Sequence, residues 1–177
     1  MTGFVIAYVI IVISGFICFF FTNKSKSDKQ KNNDSAEKIV REDLLVYSLK
    51  NPYTLDRNVP PPSSRRLMLS VAAGSGKNRQ KLVFDPAHTV SFGRNDKNQI
   101  MICDRTVSDF HGCIFLSNKK IWVRNTSSNQ YLTVRRSLFK KYNLGPKATL
   151  QLFSGDQILV NGNKLKLKIF VFDINHK

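Results

Sequence analysis

The sequence predicts an all-β fold, a β-sandwich that follows an apolar N-terminal segment and a polar linker. Short apolar runs rich in β-branched and aromatic residues alternate with turn residues through the C-terminal half, a pattern typical of strands. Asn161-Gly162 separates two such runs, and this dipeptide is a strong signal for a two-residue hairpin. Lys164, Lys166 and Lys168 alternate with aliphatic residues, which predicts a strand with one charged and one apolar face.

The predicted strands leave polar loops between them. The clearest apolar runs lie at residues 67–73, 81–84, 88–92, 100–103, 114–116, 121–123, 131–134, 157–160 and 164–171. Residues 135–146 show no clear strand pair. Because the loops of a sandwich collect at its ends, polar residues from separate loops can converge on one small anion.

The N-terminal segment predicts a membrane anchor. Residues 3–21 carry no charged side chain, and a helix of that length at about 1.5 Å per residue matches the roughly 30 Å hydrocarbon core of a bilayer. No basic stretch precedes this run and no small-residue cleavage site accompanies it, so we expect an uncleaved single-pass transmembrane helix within residues 1–23. Lys24 and Lys26 follow directly. The positive-inside tendency then places the N-terminus outside the cell membrane and the C-terminal domain in the cytoplasm.

Residues 24–66 predict a flexible cytoplasmic linker. The segment is polar as far as residue 35, which suits a solvated tether. Asp34 and Glu37 are spaced for a capping box, and we expect a short helix at 35–50 that ends before Asn51-Pro52. The helix has an apolar stripe of Ala36, Ile39, Val40, Leu44 and Tyr47. This stripe docks on a partner or on the membrane surface, or the helix is marginal and frayed; we prefer the second interpretation.

Ordered motifs occupy the gaps between the predicted strands. They are Gly93-Arg94, Ser108 with His111, Ser127 with Asn129, and finally Leu152, Gly155, Asp156 and Ile158. This series resembles the forkhead-associated (FHA) domain over about residues 67 to 173. The resemblance implies an FHA-like eleven-stranded β-sandwich, with a domain at 67–177, that binds phosphothreonine in a peptide.

The resemblance also assigns roles to individual residues. It implies that Arg94 holds the phosphate with a planar fork of donors, that Ser108 donates its hydroxyl to a phosphate oxygen, and that Asn129 holds the peptide main chain. Arg105 and Ser128 complete the predicted phosphopeptide-binding set.

Two further residues of the motifs are expected to be structural. Gly93 would let the backbone turn tightly before Arg94. His111 would fix the loop that carries Ser108 through hydrogen bonds. The sequence departs from the family pattern at Asp109, where a basic residue is usual, and at Gln130, where glycine is usual.

Other classes of site find little support in the sequence. The spacing of Cys103, His111 and Cys113 fits no common zinc pattern, and no catalytic constellation is present. Three cysteines form no disulfide framework. We therefore expect a protein that is not an enzyme and that uses neither a metal nor a cofactor.

The sequence thus predicts a membrane-anchored phosphothreonine-peptide-binding adaptor. It would recruit partners phosphorylated by a Ser/Thr kinase to the inner face of the membrane. The alternative is a scaffold subunit of a membrane assembly that binds without phosphate. Short anchored proteins of this make-up resemble bacterial ones that accompany cell-wall synthesis and division machinery. Residues 67–177 hold 18 Lys and Arg against 6 Asp and Glu, a net charge of +12. Nucleic acid or anionic lipid is therefore a third kind of partner, although no specific nucleic-acid motif is present.

Overall fold

The computed structural model describes residues 25–46, 64–73 and 80–175. Within these residues the chain forms one helical segment and eleven strands, the number that the resemblance implies. The strands are β1 Arg65–Ala73, β2 Gln80–Phe84, β3 Val90–Gly93, β4 Ile100–Met101, β5 Gly112–Ser117, β6 Lys120–Asn125, β7 Leu132–Arg135, β8 Lys141–Leu144, β9 Thr149–Gln151, β10 Gln157–Val160 and β11 Asn163–Asp173.

The strands form two sheets. The six-stranded sheet has the order β2-β1-β11-β10-β7-β8, and the five-stranded sheet has the order β4-β3-β5-β6-β9. The pairs are antiparallel except β3 with β4, which are parallel. β8 lies in a segment where the sequence shows no clear strand pair. It is a short edge strand, and Lys141 and Asn143 leave it with little apolar character.

The core lies between the sheets and follows the period-two pattern of the strands. Leu165 and Leu167 of β11 are buried, whereas Lys164, Lys166 and Lys168 are exposed on the other face. The fully buried side chains of the main cluster come from both sheets, and they include Phe92, Ile114, Val123, Val134 and Ile158. The predicted alternation along β11 is therefore confirmed.

The helical segment at residues 25–46 differs from the expected linker. It covers the predicted short helix as far as residue 46, and it also includes residues 25–34, in the segment expected to be a solvated tether. Side-chain bonds four residues apart support this polar stretch, as in Gln30 to Asp34 at 2.8 Å. Residues 47–50 of the predicted helix and the rest of the linker to residue 63 lie outside the described residues.

The apolar stripe of the helix packs on its own domain. From residue 36 onwards, Ala36 and Val40 are fully buried against Met68 of β1 and Phe172 of β11. Arg66 adds a polar contact, because its guanidinium pairs with Asp43 of the helix and with Asp85. The preferred interpretation of a marginal, frayed helix is therefore wrong for this part of the helix. The outer face of β1 and β11 supplies the apolar partner that such a helix needs.

The described residues contain no helix long and apolar enough to cross a membrane. The predicted anchor at residues 1–23 lies outside the described residues, and it stays a prediction.

Candidate functional site

The backbone of Gly93-Arg94 is bonded directly to the loop that carries Ser108. This loop, residues 102–111 between β4 and β5, is called the serine loop below. The Arg94 amide donates to the Ser108 carbonyl at 3.0 Å, and the next amide, of Asn95, donates to the Asp109 carbonyl at 3.1 Å. A Cβ at Gly93 would lie 2.3 Å from the Asp109 carbonyl oxygen. Glycine is therefore required by the close approach of two loops. The predicted reason, a tight turn, differs from this one, because Gly93 does not have a positive φ.

The Arg94 side chain lies along the serine loop. Its Nε and Nη2 donate to Asp109 Oδ1 at 2.9 and 2.7 Å, and its Nη1 donates to the Arg105 carbonyl at 3.4 Å. The guanidinium thus bonds to the loop on both sides of Ser108. The Arg94 and Asp109 side chains are 45% and 54% exposed, so an incoming anion can reach this ion pair.

Ser108 is the meeting point of two loops. Its hydroxyl lies 3.0 Å from the Ser127 hydroxyl and donates to Gln130 Oε1 at 2.9 Å. The Ser108 amide donates to the same oxygen at 3.1 Å. Gln130 Nε2 donates in turn to the Thr106 carbonyl at 2.8 Å. One glutamine side chain therefore bonds to both donors of Ser108 and links the two loops.

The loop after β6 is fixed from below by Asn125. This asparagine is fully buried, and its amide donates to the carbonyls of Gln130 at 2.7 Å and Leu144 at 2.9 Å. Its Oδ1 accepts from the Ser127 amide at 3.0 Å. Asn125 is absent from the predicted site residues, although it stands at the end of a strand, where a loop-fixing asparagine is expected. Ser128 and Asn129 extend from the fixed loop as exposed residues.

The β10–β11 turn also joins this end of the sandwich, a contact that no sequence motif predicted. Asn161 Nδ2 donates to the Thr106 carbonyl at 2.6 Å, and Asn163 Nδ2 donates to Asp104 Oδ2 at 2.7 Å. Hydrogen bonds to its carboxylate lower the pKa of Asp104. The largest contributions come from the Thr106 hydroxyl and amide, and a smaller one comes from Asn163. The serine loop is thus anchored on three sides, by β3, by the β6–β7 loop and by this turn.

His111 lies beneath the loops and is fully buried. Its amide donates to the Phe92 carbonyl at 3.0 Å, while its own carbonyl accepts from the amides of Thr126 and Ser127 at 3.0 and 3.2 Å. Its Nε2 lies 3.3 Å from the Tyr131 carbonyl. Burial lowers the pKa of His111, which favours the neutral ring. These bonds join the serine loop to the β6–β7 loop from the inside.

One known protein family matches this part of the chain. Residues 90–161, which carry the loops of Arg94, Ser108 and Asn129, match the family model of the FHA domain. Residues 90–161 form an FHA domain. No curated protein matches the sequence at a significant level.

Solved FHA domains are similar to this chain in fold. FHA-1 of Mycobacterium tuberculosis Rv1747 is 12% identical, with a TM-score of 0.47, and the match covers 59% of this chain and 97% of that one. The FHA domain of CT664 from Chlamydia trachomatis is 16% identical, with a TM-score of 0.48 and coverages of 58% and 98%. The MEK1 FHA domain in complex with a phosphothreonine peptide of HOP1 is 19% identical, with a TM-score of 0.45 and coverages of 57% and 95%.

Within this FHA domain, the predicted binding residues fall into two groups. Arg94, Ser108 and the Arg105 carbonyl lie in one bonded cluster, whereas Ser128 and Asn129 stand on the exposed edge of the next loop.

The described part of the chain contains no group of three or more His, Cys, Asp or Glu side chains placed to hold a metal ion. Cys103 and Cys113 are free thiols, and burial raises the pKa of Cys113.

Proposed function

We propose that this FHA domain binds a phosphothreonine-containing segment of a partner protein at the loops of Arg94, Ser108 and Asn129. The observation that carries the proposal is the bond from the Arg94 amide to the Ser108 carbonyl. It holds a half-exposed guanidinium and a serine hydroxyl in two adjacent loops. The loops that carry Arg94, Ser108 and Asn129 are called the loop cluster below. A phosphothreonine brings a charge of about −1.5 to −2 and several acceptor oxygens, which is what these two donors can bind.

Binding requires an exchange of partners within the site. The phosphate takes the place of the Asp109 carboxylate on Arg94, and it accepts the Ser108 hydroxyl in place of Gln130 Oε1. Arg105 adds positive charge and Ser128 a further hydroxyl. Asn129, exposed beside them, bonds to the peptide main chain with its amide donor and acceptor. The protein performs no chemical step on the bound peptide.

The binding activity would operate at a membrane. The uncharged segment at residues 3–21 and the lysines that follow it support an anchor with the FHA domain in the cytoplasm. The protein would then act as an adaptor that brings substrates of a Ser/Thr kinase to the inner membrane face, with proteins of cell-wall synthesis or division as candidate partners.

Peptide titration tests the phosphothreonine proposal. The full-length protein in detergent micelles is titrated with a phosphothreonine peptide library and with the unphosphorylated peptides, and binding is followed by fluorescence anisotropy. Loss of Arg94 removes a charge-assisted bond worth about 2 kcal/mol, so R94A should raise Kd about 30-fold. K120A is the matched control, because Lys120 is exposed at the other end of β6 from the loop cluster. Equal binding by wild type and R94A would refute the proposal.

A second function is favoured by a specific observation. Asp109 and Gln130 already bond to the donors of Arg94 and Ser108, as expected of a domain that uses another surface and no phosphate. The protein would then be a scaffold subunit of a membrane assembly. Partner capture by the full-length protein that survives both phosphatase treatment and R94A would support this function against the first.

A further inference from the structure

The tip of the β7–β8 hairpin carries two large apolar side chains in full contact with solvent. Leu138 is 83% exposed and Phe139 is 97% exposed, the highest values among the large hydrophobic residues that the structure describes. The tip, residues 136–140, is closed by a bond from the Arg136 amide to the Lys140 carbonyl at 2.9 Å. Because neither apolar side chain packs on the domain, the pair is available to an apolar medium outside it.

The surroundings of the tip are basic. Lys140 and Lys141 follow the apolar pair and are exposed. Residues 135–141 contain four Lys or Arg and no Asp or Glu. Arg136 pairs with the buried Asp156 at 3.0 Å and stacks on Phe153 at 4.2 Å, which fixes the base of the hairpin. The tip therefore combines two exposed apolar side chains with exposed lysines, and the hairpin itself carries no acidic residue.

The topology places this tip away from the loop cluster of the proposed peptide site. β7 begins beside the β6–β7 loop and ends at the tip, so the two lie at opposite ends of the strand. The β5–β6 turn, which contains Lys119, lies at the same end as the tip, because β6 runs from that turn to the loop at Asn125. A partner that contacts the tip therefore leaves the loops of the proposed phosphopeptide site accessible.

We propose that the β7–β8 tip inserts Leu138 and Phe139 into the surface of an anionic lipid bilayer, with Lys140 and Lys141 among the headgroups. Transfer of Leu138 and Phe139 out of water lowers the free energy only when they enter an apolar medium. The lysines beside them are attracted to anionic lipid. The phosphates of a nucleic acid would attract the lysines, but a nucleic acid has no apolar interior in which Leu138 and Phe139 could be buried. The proposal does not depend on phosphopeptide binding.

A fluorescent reporter in the full-length protein tests the insertion. Trp122 is the only tryptophan of the chain, so F139W in a W122F background gives a single reporter at the tip. The protein is reconstituted in vesicles of phosphatidylcholine with phosphatidylglycerol, or of phosphatidylcholine alone. Emission is recorded with lipids brominated in the acyl chains. The matched control is Y131W in the same background, because Tyr131 is 65% exposed at the opposite end of β7.

The expected result is a blue-shifted emission at position 139, with quenching by brominated lipid, in the anionic vesicles only. The reporter at position 131 should show neither effect. K140E with K141E should reduce the quenching at least about tenfold, whereas R94A should leave it unchanged.

Three results would overturn the proposal. They are an unshifted reporter at position 139 in anionic vesicles, equal quenching in both kinds of vesicle, and equal quenching at positions 131 and 139. Protection of position 139 by a short DNA duplex, with no response to vesicles, would assign the tip to nucleic acid and would likewise reject insertion.

Discussion

Replacing Asp109 by asparagine is expected to strengthen the binding of phosphothreonine peptides. The Asp109 carboxylate accepts from Arg94 at 2.7 Å, and both side chains are about half exposed. A phosphate must therefore displace this carboxylate from the guanidinium and then remain beside it. D109N removes the competing charge and leaves the Asp109 carbonyl, which bonds to the Asn95 amide, unchanged.

Two effects determine how much D109N increases the affinity for a phosphothreonine peptide. Opening an exposed ion pair costs about 0.2–1 kcal/mol. A carboxylate about 5 Å from a doubly charged phosphate in a water-like medium repels it by about 1.7 kcal/mol, which physiological salt reduces to about 1 kcal/mol. The sum of about 1–2 kcal/mol corresponds to a decrease in Kd of about 5- to 30-fold.

The assay is a titration of the full-length protein with one phosphothreonine peptide at physiological salt. D96N is the matched control, because Asp96 is an exposed carboxylate in the neighbouring β3–β4 loop and its loss changes the net charge equally. In an R94A background the gain from D109N should shrink, since no ion pair remains to be opened. An unchanged or raised Kd for D109N would refute this reasoning, because Asp109 would then orient Arg94 for binding rather than compete for it.

Three stability predictions follow, each measured by urea unfolding. G93A should cost about 1–3 kcal/mol, because its methyl group meets a backbone oxygen, whereas G145A, with its nearest neighbour at 3.7 Å, should change little. V40A should cost about 2 kcal/mol for the buried carbons lost, and K38A, on the exposed face, should cost almost nothing. Burial lowers the pKa of His111, so the stability it contributes is complete above the ordinary histidine pKa of about 6.5 and declines as pH falls towards its folded-state pKa. H111Q should therefore lose less stability than wild type between about pH 7.5 and about pH 5.5, and an equal loss would contradict the assignment.

The sandwich could be predicted from the sequence because strand faces and turns are local signals. The alternation in β11 and the Asn161-Gly162 turn depend only on neighbouring residues. β8 was not predicted, because a strand at the edge of a sheet can form without a run of apolar residues. Its sequence is dominated by polar side chains, and only Leu144 is buried.

The docking of the helix could have been inferred from strand parity. On β11 the residues at even positions change from Lys164, Lys166 and Lys168 to Phe170 and Phe172. A face that changes from charged to aromatic within one strand is solvated at one end and covered at the other. The apolar stripe of the helix is the cover.

The contacts inside the site could not be predicted in this way, because they join loops distant in sequence. Gln130 departs from the family glycine, and the sequence suggests only a stiffer turn. The structure gives Gln130 no positive φ, so its backbone is not strained there. What matters is its side chain, which bonds to Ser108, 22 residues away. Sequence spacing identifies which loops meet, but it does not identify which side chain fills the space between them.

The distance between the two ends of the sandwich determines how far the proposed activities can influence each other. Four strand residues, the length of β7, span about 13 Å at about 3.3 Å each. That exceeds the Debye length of about 8 Å at physiological ionic strength. Lys140 and Lys141 at the tip therefore add little to the attraction that a phosphate feels at Arg94, and the charge of a bound phosphopeptide does little to repel an anionic bilayer at the tip. The two proposed activities are therefore electrostatically independent, because β7 separates their sites by more than the Debye length.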